Sequence, residues 1–373
     1  MAIPITLNQL SVPEHKRLLV TSDIHAHLHL LEKLLKQADY SPENDILVIT
    51  GDFVEKGPDS LGTIRYLMEL CKRGPVYPLI GNVDHWRYCL LMSDDVETQK
   101  QFVENAVKYR EWWPSTWLHE MCREAGYEVT SDLDTQAVFP LLRKHFSKEI
   151  EFLESLPTLI ETDEIIFAHS GIPHERLDEF VGTPRKQYIK WDHFMEDGLA
   201  FQKYVVVGHW PTALYSTEIA WYNPVIDHKS HIISIDGGCG VKDDGQLNLL
   251  ILPGGHVDRL SYISCHDLPV AIACDIQEAG KDGRFIHWGD DNVTILEKGE
   301  ELSRVLHHGR EMNVPTVHLY ERNEETHCSD VCDHVLAVSP GDELGIITRL
   351  SDRCYVKKNG VHGWYFGKFI NKE

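Results

Sequence analysis

Asp23 and His25 stand two residues apart at the end of the apolar run Leu18-Leu19-Val20, a carboxylate and an imidazole delivered together by what reads as a buried strand. The same grammar recurs. Ile46-Leu47-Val48-Ile49 runs into Gly51-Asp52, and Val76-Tyr77-Pro78-Leu79-Ile80 runs into Gly81-Asn82-Val83-Asp84-His85. Ile165-Ile166-Phe167-Ala168 runs into His169, and Val205-Val206-Val207 into Gly208-His209. Each polar group falls at the carboxyl end of its strand, where open α/β sheets place their sites. Carboxylates, imidazoles and an amide oxygen are ligands for divalent cations, and the mixture suits Mn, Fe or Zn better than Mg or Ca. Two such ions about 3.5–4 Å apart repel strongly, so one carboxylate must bridge them.

The elements that must hold these groups can be read from periodicity. Leu28, Leu30, Leu31, Leu34 and Leu35, with Glu32, Lys33 and Lys36 between them, predict an amphipathic helix after His25. Leu61, Ile64, Leu67, Met68 and Leu70 predict another after the turn at Gly57-Pro58, with Asp59 or Ser60 as N-cap. Strand, helix, strand, helix, strand is the pattern of a parallel sheet. A charged, helical insertion is expected at about 88–150, its Trp112, Trp113 and Trp117 read chiefly as packing residues. Strands resume at Glu164–Ala168 and Tyr204–Val207, then at His231–Ile235 and Leu247–Leu252, the last two read as an antiparallel pair.

Length and charge narrow the class. A chain of 373 residues predicts two domains, divided here at about 1–260 and 261–373. Its net charge of −22, from 36 Lys+Arg against 58 Asp+Glu, argues against nucleic acid or an anionic membrane as partner. No segment of about eighteen apolar residues and no leader-like N-terminus is found, so a cytoplasmic protein is expected. Nine irregularly spaced cysteines read as reduced thiols, Cys328 and Cys332 included. Beyond residue 262 the α/β rhythm gives way to short strands and turns. The stretch at about 334–373, with a hairpin around Asn359-Gly360 and an aromatic strand after it, resembles a Src-homology-3-like β-barrel, which implies peptide or intramolecular docking.

Six motifs taken together resemble the calcineurin-like metallophosphoesterases. They are Ser22-Asp23-Ile24-His25, Gly51-Asp52-Phe53-Val54-Glu55-Lys56-Gly57, Gly81-Asn82-Val83-Asp84, Ala168-His169-Ser170-Gly171, Gly208-His209-Trp210-Pro211-Thr212 and Ile235-Asp236-Gly237-Gly238-Cys239. The last two look like the phosphoprotein phosphatase branch, which includes symmetric dinucleoside tetraphosphate hydrolases. The resemblance implies a β-sandwich flanked by helices, followed here by a small all-β domain. It implies two divalent ions, Mn²⁺ first in expectation: Asp23, His25 and Asp52 would hold one, and Asp52, Asn82, His169 and His209 the other, with Asp52 bridging. The expected reaction is hydrolysis of phosphomonoesters, on phosphoproteins or small phosphoesters, by a hydroxide shared between the metals. The alternatives are a dinucleoside tetraphosphate hydrolase or phosphodiesterase, and an inactive metal-bound scaffold.

The chain departs from that pattern where a proton is needed. Val83 stands where the family carries a histidine after the metal-binding asparagine, and His85, oriented by Asp84, is the expected substitute acid. Lys56 in Glu55-Lys56-Gly57 and His193 in Trp191-Asp192-His193 occupy phosphate-gripping positions that usually hold arginine. Lysine offers a point charge without the bidentate fork. A missing acid costs most when the leaving group is poor, so aryl esters and anhydrides are expected to react better than phosphoserine.

Overall fold

The computed structural model describes residues 3–372. They form two compact units: the chain up to Trp210 with Pro224–His266, and Pro211–Asn223 with the chain from Asp267 onward. Sequence reading gives no sign that Pro211–Asn223 joins the second unit, because nothing in its composition sets it apart. Among the described residues no helix is long and apolar enough to cross a membrane.

In chain order the first unit carries β1 (Leu7–Gln9), β2 (Arg17–Thr21), α1 (Leu28–Gln37), β3 (Asp45–Ile49), α2 (Ser60–Arg73), β4 (Val76–Pro78) and α3 (Asn82–Met92). Then come α4 (Val96–Tyr109), α5 (Trp117–Glu124), α6 (Thr135–His145), α7 (Ser147–Ser155), β5 (Leu159–Glu161), β6 (Ile165–Ala168) and β7 (Tyr204–Val207). Last are β8 (Val225–Asp227), β9 (Ile232–Ser234), β10 (Leu247–Pro253) and β11 (Ser261–Cys265). Two sheets result, ordered β1-β5-β6-β7-β9-β8 and β11-β10-β2-β3-β4.

Side chains alternate across each strand, and the alternation assigns every residue to a layer. Leu18, Val20, Ile46, Val48, Leu250 and Leu252 from one sheet share a core with Ile165, Phe167, Val206 and Ile233 from the other, which makes the pair a sandwich. Leu19, Leu47, Ile49 and Leu249 face the opposite way onto α1 and α2. Within each sheet the strands that feed the site run parallel: β2 with β3 and β3 with β4, β6 with β7 and β7 with β9. Their carboxyl ends therefore gather along one rim.

The expected pairing of β9 with β10 does not form. β9 lies between β7 and β8, while β10 joins the other sheet between β11 and β2. Both strands are buried on both faces, so their pattern carries no information about a neighbour. The helices follow their periodicity more closely. Asp59 caps α2 by accepting from Gly62 N at 2.9 Å, and Glu120 of α5 accepts from Ser60 N and Leu61 N at 3.0 and 2.7 Å. Of the three tryptophans, Trp117 is wholly buried, Trp113 stacks on Tyr109, and Trp112 is 62% exposed.

The second unit is built of antiparallel strands. Val361–Tyr365, Cys354–Lys358, Glu343–Arg349, Val270–Ala273 and Phe369–Asn371 form one five-stranded sheet in that order, so it reaches well beyond the stretch at 334–373. Asn359 and Gly360 turn the expected hairpin with φ of +49° and +74°. Thr294–Glu297, Leu302–His307 and Arg310–Pro315 make a separate three-stranded meander.

Candidate metal centre

Asp23 and His25 leave β2, Asp52 follows β3, Asn82 opens α3 just after β4, His169 follows β6 and His209 follows β7. The loops that present them are forced into an uncommon backbone: φ is +53° at Asp23, +45° at His25, +56° at Asp52 and +67° at His209. They also pass each other closely. A Cβ on Gly81 would come within 2.1 Å of Asp52 Oδ1, and one on Gly208 within 2.2 Å of Asp23 Oδ2, so glycine is required at both.

The ligand atoms converge as two groups that share Asp52, namely Asp23, His25 and Asp52, and Asp52, His169 and His209, each within 4.8 Å. Every imidazole has one nitrogen engaged by the protein. His169 Nδ1 donates to the Thr50 carbonyl at 2.7 Å, His25 Nδ1 to the Val54 carbonyl at 3.3 Å, and His209 Nε2 to Asp192 Oδ1 at 2.8 Å. That leaves the other nitrogen of each ring as the lone pair, the arrangement that orients metal-binding histidines. His169 Nε2 then faces Asn82 Oδ1 at 2.9 Å and Asp52 Oδ1 at 3.5 Å. With His169 Nδ1 as the donor these are acceptors facing one another, a pair that a cation would satisfy. Asp23 Oδ1, buried and without a hydrogen-bond partner, lies 3.8 Å from His25 Nε2, which is 3.7 Å from Asp52 Oδ2. The donor set fits two divalent ions.

Burial sets the protonation of these groups. It holds His25 well below the ordinary histidine range and His209 down at about 4, so both rings are neutral and able to bind metal. Burial also pushes Asp23 up to about 6. It works against the Asp52 carboxylate as well, but His169, His25 and Lys56 together keep that group below its ordinary value.

The remaining site residues are placed as follows. Lys56 Nζ donates to His25 Nε2 at 2.8 Å, inside the cluster. Asp84 does not orient His85. Its Oδ2 accepts from Asp52 N and Gly81 N at 2.8 and 3.1 Å, and its Oδ1 from Phe53 N and Val54 N at 2.8 and 3.2 Å. His85 instead accepts from Arg185 Nε at 3.1 Å. His193 is exposed, with Nδ1 bonded to Glu196 at 3.0 Å and its ring 4.1 Å from that of Trp210. Glu55 is wholly buried and paired with Arg87 at 3.1 Å.

Sequence reading assigned no role to three further residues at the cluster. Asp192 orients His209, and Arg185 reaches His85 from one hundred positions away. Asp236 is buried with one oxygen unpartnered, and burial together with nearby Asp23 raises its carboxyl well above the usual range. Asp192 and Asp236 had local signals, the first beside the quoted His193 and the second inside the motif Ile235-Asp236-Gly237-Gly238-Cys239.

A helix-flanked β-sandwich with carboxylates and histidines gathered at one rim defines a metal-ion scaffold of a known class. The sequence profile of calcineurin-like phosphoesterases matches residues 16–233, over half the chain and all six candidate ligands, and the chain belongs to that family. A symmetrical bis(5'-nucleosyl)-tetraphosphatase of Yersinia enterocolitica is 44% identical over 154 residues, 40% of each chain. The protein of the same name from Vibrio campbellii is 27% identical over 154 residues, 41% of this chain and 44% of its own. The chain thus spans less than half the length of these curated relatives. Among solved structures, a serine/threonine phosphatase from Saccharomyces cerevisiae matches 71% of this chain and 84% of its own at 12% identity, with a TM-score of 0.43.

Proposed function

We propose that this chain is a two-metal phosphoesterase whose preferred bond is a phosphoanhydride, as in a dinucleoside tetraphosphate. One observation carries the reading: the groups expected to supply a proton are committed elsewhere. Val83 follows Asn82 and has no proton to give, Asp84 is spent on four backbone N–H groups, and His85 is held by Arg185. A nucleotide phosphate leaves as a stabilised anion and needs little protonation, whereas a serine alkoxide needs it badly. The names of the curated relatives support the same choice.

When bound, two divalent ions held by Asp23, His25, Asp52, Asn82, His169 and His209 supply positive charge to the phosphate and acidify a water. Asp52 ties the two ligand groups together, Asp192 keeps the His209 lone pair aimed inward, and Lys56 adds a point charge at the phosphate. The phosphoprotein reading rests on motif resemblance, and the Src-homology-3-like reading of the second unit, with docking as its role, on the five-stranded antiparallel sheet.

The test is a substrate panel with Mn²⁺, the first metal to try: diadenosine tetraphosphate, a cyclic nucleotide, nitrophenyl phosphate and matched phosphoserine and phosphotyrosine peptides. The anhydride is expected to exceed phosphoserine in kcat/KM by at least about tenfold, within the range a missing acid allows. A phosphoserine preference overturns the substrate choice. No turnover of any substrate by metal-loaded protein, with Asp52→Asn as control, leaves a scaffold.

A further inference from the structure

We propose that the second unit carries a metal site of its own, for a transition ion such as Zn²⁺, built by Asp290, His307 and His308. His307 ends the strand Leu302–His307, and His308-Gly309 form the two-residue turn into Arg310–Pro315. Their φ values of +45° and +78° are those of the mirror-image turn that tight hairpins use. The turn brings the two neighbouring rings together, with centroids 4.4 Å apart.

Both rings point the same nitrogen at one oxygen. His308 Nε2 lies 2.5 Å from Asp290 Oδ1 and His307 Nε2 lies 3.4 Å from it, and the three ligand atoms all fall within 4.8 Å of one another. The Asp290 backbone carbonyl is a further oxygen, 3.0 Å from His307 Nε2. Two imidazole nitrogens with carboxylate and carbonyl oxygens are donors for Zn²⁺, Ni²⁺ or Cu²⁺, and too few oxygens for Ca²⁺.

The surroundings suit an ion that enters from solvent. The His307 side chain is 1% exposed and His308 is 59% exposed, so the site has a closed wall and an open mouth. A second observation concerns a neighbouring imidazole. His287, whose backbone bridges to Asp290, has a buried Nε2 with no hydrogen-bond partner. A buried imidazole nitrogen left unpaired is costly unless something binds there. An ion at Asp290 would join the hairpin Leu302–Pro315 to the turn at 287–290, two segments with no strand pairing to each other.

The experiment removes one ligand at a time from the full-length chain and counts ions. Metal-free protein is titrated with Zn²⁺, and with Co²⁺ for its visible bands, in the parent, His308→Asn and Asp290→Asn. Asparagine tolerates the left-handed backbone at position 308, so folding is preserved. The same three chains are repeated in an Asp52→Asn background, which separates this site from the rim of the sandwich. The expected result is one Zn²⁺ fewer per chain in each variant, in both backgrounds, with the corresponding Co²⁺ band lost and, where Asp52 is intact, Mn²⁺-supported turnover unchanged. Equal Zn²⁺ counts in parent and variants would overturn the proposal, leaving Asp290 and the two histidines as an ion pair only.

Discussion

The Lys56 ammonium sits on the His25 lone pair that an ion would need. Lys56 Nζ stands 2.8 Å from His25 Nε2, the nitrogen that faces Asp23 and Asp52. Burial lowers the Lys56 pKa while Asp52, Asp23 and Asp236 oppose that shift, so the lysine is held as a captive counter-charge. An ion on His25 must displace it. Lys56→Met is expected to tighten binding at this site by about tenfold, roughly 1.4 kcal/mol, and to raise KM for phosphate substrates. Chelator competition and steady-state kinetics check both. Weaker ion binding in the variant would mean that the lysine helps to assemble the site.

Asp84 fastens the Asp52 loop. Asp84→Asn replaces an acceptor oxygen with an amide that meets backbone N–H groups, and should cost about 1–3 kcal/mol, the range for leaving buried donors unsatisfied. Ion content is expected to fall with stability, since Asp52 belongs to both ligand groups. Denaturant melts alongside elemental analysis measure the two effects. Normal stability would show that the loop is held by its other contacts.

His85 should give the protein an acid-sensitive limb. Burial, then the nearby Arg185, holds its pKa down at about 4, against 6.5 for an ordinary histidine. The folded protein keeps His85 neutral while the unfolded chain takes up a proton below about 6.5. The stability tied to this ring is therefore complete above about 6.5 and declines as the pH falls toward 4. His85→Gln is expected to flatten that part of the stability profile. Parallel slopes for parent and variant between these limits would rule His85 out as the source.

Restoring a proton donor should change which substrates react. Val83→His is expected to raise turnover of alkyl phosphomonoesters by about 10²-fold or more and to leave anhydrides nearly unchanged. The ratio of the two rates, measured in parent and variant, is the readout. A uniform change across both substrates would place the limiting step elsewhere than leaving-group departure.

Much of this cluster could be read directly because polar groups that close apolar strands have a local signature. Apolar runs closing on Asp23-x-His25, Gly51-Asp52 and Gly81-Asn82 gave both the strands and the residues to watch. What stayed hidden depends on distant contacts. Arg185 meets His85, and Glu120 caps α2 from α5, through partners that no short window contains. Asp84 shows the limit most clearly. A carboxylate beside a histidine reads as its partner, yet α3 turns it back onto the Asp52 loop. The wrong partner for β10 has the same origin, since a strand apolar on both faces is compatible with any neighbour.

Asp23, His25, Asp52 and Asn82 hang from one sheet of the sandwich, while His169 and His209 hang from the other. A pair of cations seated among them would act as a rivet through both layers, its strength added to folding because the unfolded chain offers no such seat. The gap between the cations would then work as a vernier, registering any slip of one layer along the other.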